Sequence, residues 1–119
     1  MDQASQPVAR VVARPGGDGT RIIVCTGELD VNGEPLLRQA LDTALRDGVA
    51  RTVVDLSGVS FADSSMLNTL VRAHTRQHMI LAGPLTRQVA RLLQVSGTDQ
   101  LFTIAADGAV PTDRPTRTS

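Results

Sequence analysis

Apolar residues along the chain recur with two different periods. Val8 to Arg14 and Arg21 to Thr26 are short runs rich in β-branched residues, separated by Pro15-Gly16-Gly17-Asp18-Gly19, which reads as a β-hairpin. Past Gly27-Glu28-Leu29-Asp30, Pro35 suits a first helical position, where its missing N–H costs nothing. Leu36, Leu37, Ala40, Leu41, Ala44 and Leu45 then form one stripe at helical spacing. Gly48 closes that helix.

Arg51 to Leu56 reads as a short buried strand broken by Ser57-Gly58, with Val59 to Ala62 as a connection. From Asp63 the helical period returns, placing Met66, Leu67, Leu70 and Val71 on one face and Asn68 and Arg72 on the other. A helix reaching Gln77 would leave almost no turn before the next apolar run at Met79, so it is expected to end near His74 or Thr75. Met79 to Ala82 is a fourth strand and Gly83-Pro84 a turn. Leu85, Val89, Leu92 and Leu93 mark a third helix that stops near Gly97, and Phe102-Thr103-Ile104 supplies a last strand. A hairpin followed by alternating helix and strand predicts an α/β fold with a central mixed sheet, because parallel neighbours require helical crossovers. One domain is expected over residues 8–107, with 1–7 and 108–119 disordered.

Composition narrows the function. The 119 residues suffice for one core, and 41% apolar with 20% charged residues is the balance of a globular chain. Twelve basic residues, all Arg, offset twelve acidic ones without a basic run, so neither nucleic acid nor an anionic membrane is an expected partner. No window approaches the 18 or so apolar residues of a membrane span, and Met1 to Val8 has no leader character. A cytoplasmic location is therefore expected. Cys25, the single cysteine, lies between Val24 and Thr26 in a strand-like run and reads as a small buried hydrophobe.

The most informative stretch is Phe61-Ala62-Asp63-Ser64-Ser65-Met66-Leu67, which brings a carboxylate and two hydroxyls to a helix entrance. Asp and Ser there cap the unpaired N–H groups of the first turn. The same N–H groups and the positive end of the helix dipole also suit an anion, so a phosphate on Ser65 is compatible with an intact helix. Capping and switching are not exclusive.

Thr26-Gly27-Glu28-Leu29-Asp30, then Asp55-Leu56-Ser57 leading through Val59 and Phe61 to Asp63-Ser64-Ser65, and finally Leu81-Ala82-Gly83-Pro84 with Val89, Arg91-Leu92-Leu93 and Leu101-Phe102, follow one another in a familiar order and spacing. Over roughly residues 8 to 106 the chain resembles STAS domains, and among them the stand-alone anti-sigma factor antagonists. The resemblance implies phosphorylation at Ser65 and a partner-binding surface of Asp30, Asp63, Ser64, Ser65 and Met66. It implies partner switching. The unphosphorylated form binds an anti-sigma factor with serine kinase activity, which phosphorylates Ser65 and releases the antagonist, and a metal-dependent Ser/Thr phosphatase reverses the mark. Asp30 is implied to lie close to Ser65; from the residues alone it reads equally as a turn or helix-entry residue. No cofactor is implied.

Two features depart from the family. Met66 stands where relatives carry Gly, and although a better helix former, its bulk bears on access to the hydroxyl and on the docking surface. The stretch from Val71 to Met79 is shorter than usual and lacks a turn glycine. Other functions find less support. A Ser nucleophile has no Gly-x-Ser-x-Gly elbow and no His with an evident Asp partner, and a nucleotide has no glycine-rich phosphate loop. His74 and His78 have the spacing of two metal ligands on a helix, but two do not complete a site, and the helix is expected to break between them. A STAS accessory subunit of an ATP-driven lipid transporter is the alternative within the family.

Overall fold

In the computed structural model, which describes residues 8–105, β1 (Arg10–Gly17) and β2 (Thr20–Leu29) pair antiparallel through a tight turn at Asp18-Gly19. Both turn residues have positive φ, at 54° and 74°, the geometry whose twist matches that of a hairpin. β1 thus runs through Pro15-Gly16, which the sequence assigned to the turn. A register shift between Pro15 and Gly17 absorbs the irregularity, and an edge strand tolerates the missing proline N–H.

α1 (Glu34–Arg46), β3 (Arg51–Ala62), α2 (Ser64–His74), β4 (Met79–Ala82), α3 (Arg87–Ser96) and β5 (Thr103–Ala105) follow, with a 3₁₀ turn at Thr98–Gln100. The sheet order is β1-β2-β3-β4-β5, and every pair from β2 onward is parallel. Successive right-handed crossovers stepping in one direction stack the helices on one face. Strand alternation accordingly divides the apolar side chains. Ile23, Cys25 and Leu29 of β2, Val54 and Leu56 of β3 and Leu81 of β4 meet Leu37, Leu41, Leu70 and Leu93 from the three helices. Ile22, Val53, Ile80 and Ala82 form a smaller cluster on the opposite side. The α/β class with a mixed sheet and an N-terminal hairpin is as the sequence predicted; the segments 1–7 and 108–119 lie outside the described residues.

β3 extends the prediction. Rather than ending at Leu56, it continues to Ala62 beside β2, whose register shifts at Val24/Thr26 and again at Gly27/Glu28. Ser57-Gly58 is an irregularity inside the strand: Asp55 Oδ1 accepts the Ser57 N–H at 2.9 Å and its hydroxyl at 2.7 Å. Gly27 has φ +87°, and a Cβ there would stand 2.4 Å from the Val8 carbonyl oxygen, so only glycine fits the bend.

α2 stops at His74, as its spacing to Met79 required. Asp47 and Gly48, the latter at φ +69°, end α1, and Gly97 at φ +81° ends α3. Among the described residues no helix is long and apolar enough to cross a membrane.

Cys25 is fully buried, and burial, with Asp55 adding to it, pushes its thiol up from 9.0 to about 12. A raised folded-state pKa contributes stability that is fully present below the unfolded value and is lost as pH rises from about 9 towards 12. The chain has no Tyr and no Lys, so few other groups titrate there. Denaturant unfolding at pH 8.5 and pH 11 is expected to show a loss of a few kcal/mol in the native chain and a much smaller one in Cys25→Val. Equal losses would contradict this assignment.

Candidate functional site

Leu29 and Ala62, the last residues of β2 and β3, pair across the sheet. The chain leaves the sheet at adjacent points, about 5 Å apart, through Asp30 and Asp63. β4 pairs with β3 only as far as Asp55. The end of β3 is held on that side by side chains from the α3 region. Thr86 Oγ1 donates to the Val59 carbonyl at 2.8 Å. Gln88 acts as a surrogate strand residue: its Oε1 accepts the Ala62 N–H and its Nε2 donates to the Ala62 carbonyl, each at 2.8 Å. The backbone entering Asp63 is therefore fixed from both sides.

Asp63 is the N-cap of α2, with extended backbone and Oδ1 accepting the Ser65 N–H at 2.8 Å. Its carbonyl accepts from Leu67 N at 3.2 Å. Ser64 is exposed and Ser65 half-buried. The amides of Ser64 and Met66 make no hydrogen bond among the described residues, leaving two donors at the positive end of the helix dipole. Met66, which the sequence reading included in the partner surface, has a side chain that is 0% exposed and packs in the main core. The helix turns residue 66 inward, beneath the exposed Ser64 and the half-buried Ser65.

Asp30 organises the neighbouring loop. Oδ1 accepts N–H bonds from Asn32 at 2.9 Å and Gly33 at 3.1 Å, while its carbonyl accepts from Glu34 N at 2.8 Å. Gly33 is packed so closely that a Cβ would lie 2.6 Å from the Glu28 carbonyl oxygen. The loop and α2 are tied by a buried bond, Thr69 Oγ1 donating to Glu34 Oε2 in the first turn of α1. Asp30 thus fills the turn role, at the sheet end that also carries Ser65. Val31, Leu36 and Phe61, exposed by 65%, 44% and 41%, give that end apolar contact area.

The histidines take no part in it. His74 lies nine residues beyond Ser65 on the same helix, about 13 Å along its axis, and packs edge-on against Phe102 with centroids 5.5 Å apart. His78 is exposed in the following loop. Among the described residues no hydrogen bond joins either histidine to Ser64 or Ser65. Among the described residues no group of three or more His, Cys, Asp or Glu could hold a metal. Sequence reasoning missed Gln88, Thr86 and the Glu34–Thr69 bond. Each spans 26 to 35 residues, and no local pattern announces such a partner.

A family model described as Mlab, STAS domain matches residues 13–104. Among solved structures, an anti-sigma factor antagonist from Mycobacterium paratuberculosis is similar with a TM-score of 0.75 at 22% identity, over 82% of this chain and 86% of that one. The anti-sigma factor antagonist SpoIIAA in its unphosphorylated form gives 0.65 at 22% identity, over 81% and 88%. The Bacillus cell fate determinant SpoIIAA in its phosphorylated form gives 0.63 at 22%, over 81% and 91%. No curated protein matches. The structural likenesses establish the shared fold.

Removing the Asp63 cap in Asp63→Ala is expected to lower stability by about 1 kcal/mol in urea unfolding. Gln88→Ala unpairs two backbone groups of Ala62 and is expected to cost about 1–3 kcal/mol. Hydrogen exchange should accelerate at Ala62 in Gln88→Ala before it does in the sheet centre. Unchanged exchange there would show that the clamp does not hold the strand end.

Proposed function

The chain belongs to the STAS domain family, and from that premise we propose that it is an anti-sigma factor antagonist switched at Ser65. The observation that carries this reading is the placement of Ser65. Its hydroxyl makes no hydrogen bond among the described residues, on the first turn of a helix whose capping residue is locked by a fixed strand end. In the unphosphorylated state the surface formed by Ser64, Ser65, Asp63 and the neighbouring loop of Asp30 docks an anti-sigma factor with serine kinase activity, freeing the sigma factor.

Within that complex the kinase transfers the terminal phosphoryl group of ATP to Ser65. The Oγ–P bond forms as the bond to ADP breaks, and the hydroxyl proton leaves to a base on the kinase. The phosphoserine carries between about −1.5 and −2 charge. Free N–H groups at the helix start offset part of this, but Asp30 and Asp63 at the same end add to the negative field. A partner closing over the surface must desolvate that charge, so the complex separates without refolding. A metal-dependent Ser/Thr phosphatase restores the hydroxyl. The protein acts in the cytoplasm as a binding module and not as a catalyst.

Two grounds support a second reading. Met66 stands where the resemblance to the antagonists implies Gly, and the matching family model bears the Mlab description, which together suit a STAS accessory subunit of an ATP-driven lipid transporter. The readings separate in one experiment. Native, Ser65→Ala and Ser65→Glu chains serve as baits, and the captured partner is identified and the phosphorylated residue mapped by mass spectrometry. Ser65→Ala is expected to retain a kinase-like anti-sigma factor and Ser65→Glu to bind it at least tenfold more weakly. Equal binding by both, phosphate confined to the Thr-rich tail, or capture of a transporter ATPase indifferent to residue 65 would overturn the antagonist reading.

A further inference from the structure

A groove runs between α1 and α2, floored by Leu41 and Leu45 and edged by Arg38, Arg72 and Arg76, with Asp42 the one carboxylate among its lining residues. Arg72 and Arg76 are exposed, and their guanidinium groups make no hydrogen bond or ion pair with another described residue. Arg38 has only a 3.8 Å contact with Glu34 and is 55% exposed. In a chain whose acidic and basic residues balance, three such guanidinium groups along one groove are a local excess of positive charge. The lining residues of α1 extend from Arg38 to Leu45, about 10 Å of helix. That length suits several residues of a polypeptide better than a single small anion.

The groove is also continuous with the Ser65 surface. Ser65, Asn68 and Arg72 follow one another at spacings of three and four along α2, and Asn68 and Arg72 are exposed. We infer that the α1–α2 groove is a second contact surface that receives an acidic segment of the protein docked over Ser65. This rests on the partner-switching reading and adds the chemistry of the partner. Guanidinium groups match carboxylates in charge and in fork geometry. Ser65 and Arg72 are about 10 Å apart along the helix axis, close to the Debye length at physiological salt. An acidic segment drawn in by Arg72 and Arg76 therefore feels a phosphate on Ser65 as repulsion. The same charge distribution promotes docking in one state and release in the other.

The test has two arms. In the first, the intact chain is titrated with hexaglutamate and followed by backbone amide and arginine Nε–H NMR signals. Shifts are expected along residues 38–45 and 69–77, and are expected to vanish in Arg72→Glu/Arg76→Glu, whose fold is checked by its melting curve. No shifts, or shifts spread equally over Arg10, Arg14 and Arg21, would overturn the inference, as would anionic vesicles or RNA binding the groove where the peptide does not. In the second arm, association with the anti-sigma factor identified by the Ser65 baits is measured at low and high salt. The double variant is expected to associate at least tenfold more slowly at low salt and to lose most of the salt dependence. If it associates like the native chain while Ser65→Glu still abolishes binding, the groove is not a contact and the switch at Ser65 stands. If no such partner binds either chain, the switch fails and the peptide titration decides the groove alone.

Discussion

The parallel pairing of β2 with β3 beyond the end of β4 is the constraint on which the site depends. It carries the two strands to the same level, so that Asp30 and Asp63 leave the sheet side by side. An unpaired strand end with open N–H and C=O groups would fray. Here Thr86 and Gln88 complete the ladder where β4 is absent. The buried Glu34–Thr69 bond then fixes α2 against the start of α1. The entrance of α2 is a rigid platform because Thr86 and Gln88 hold the backbone of the β3 end while the Glu34–Thr69 side-chain bond ties α2 to α1.

A rigid platform suits a switch that works through charge. If a phosphate melted the helix it landed on, part of its effect would be spent on local unfolding. The capped first turn of α2 instead supplies donors that tolerate an anion, and Met66 anchors the turn from below with a side chain wholly in the core. The hydroxyl one residue earlier stays at the surface. The apolar contact area at Val31, Leu36 and Phe61 and the two carboxylates share this end of the sheet, with Arg72 about two turns further along α2. Under the proposed function the electrostatic character of this end turns on residue 65.

Much of this was legible in the sequence. Local signals placed the helices: Pro35 and Gly48 bracket α1, Asp63 caps α2, and the short interval to Met79 forces α2 to end at His74. Periodicity separated the inward residues of the strands. Met66 follows helical phase into the core with Leu67 and Leu70, as its periodicity indicated. The failures have a common physical cause. Ser57-Gly58 and Pro15-Gly16 have the composition of turns, yet cross-strand pairing and the Asp55 side chain keep them within strands. Gln88 gave no signal, because a glutamine that completes a β-ladder resembles any exposed helical glutamine until the strand end is beside it.

Under the proposed function, a phosphate on residue 65 changes the charge of a fixed surface and not the fold beneath it. Incorporating phosphoserine at position 65 and comparing amide NMR spectra and hydrogen exchange with the unmodified chain tests this directly. Shift changes confined to the Asp30 loop and the first two turns of α2, with exchange protection in α2 and the sheet unchanged, are the outcome the account requires. Loss of protection through α2, or changes propagating across β2 and β3, would contradict it.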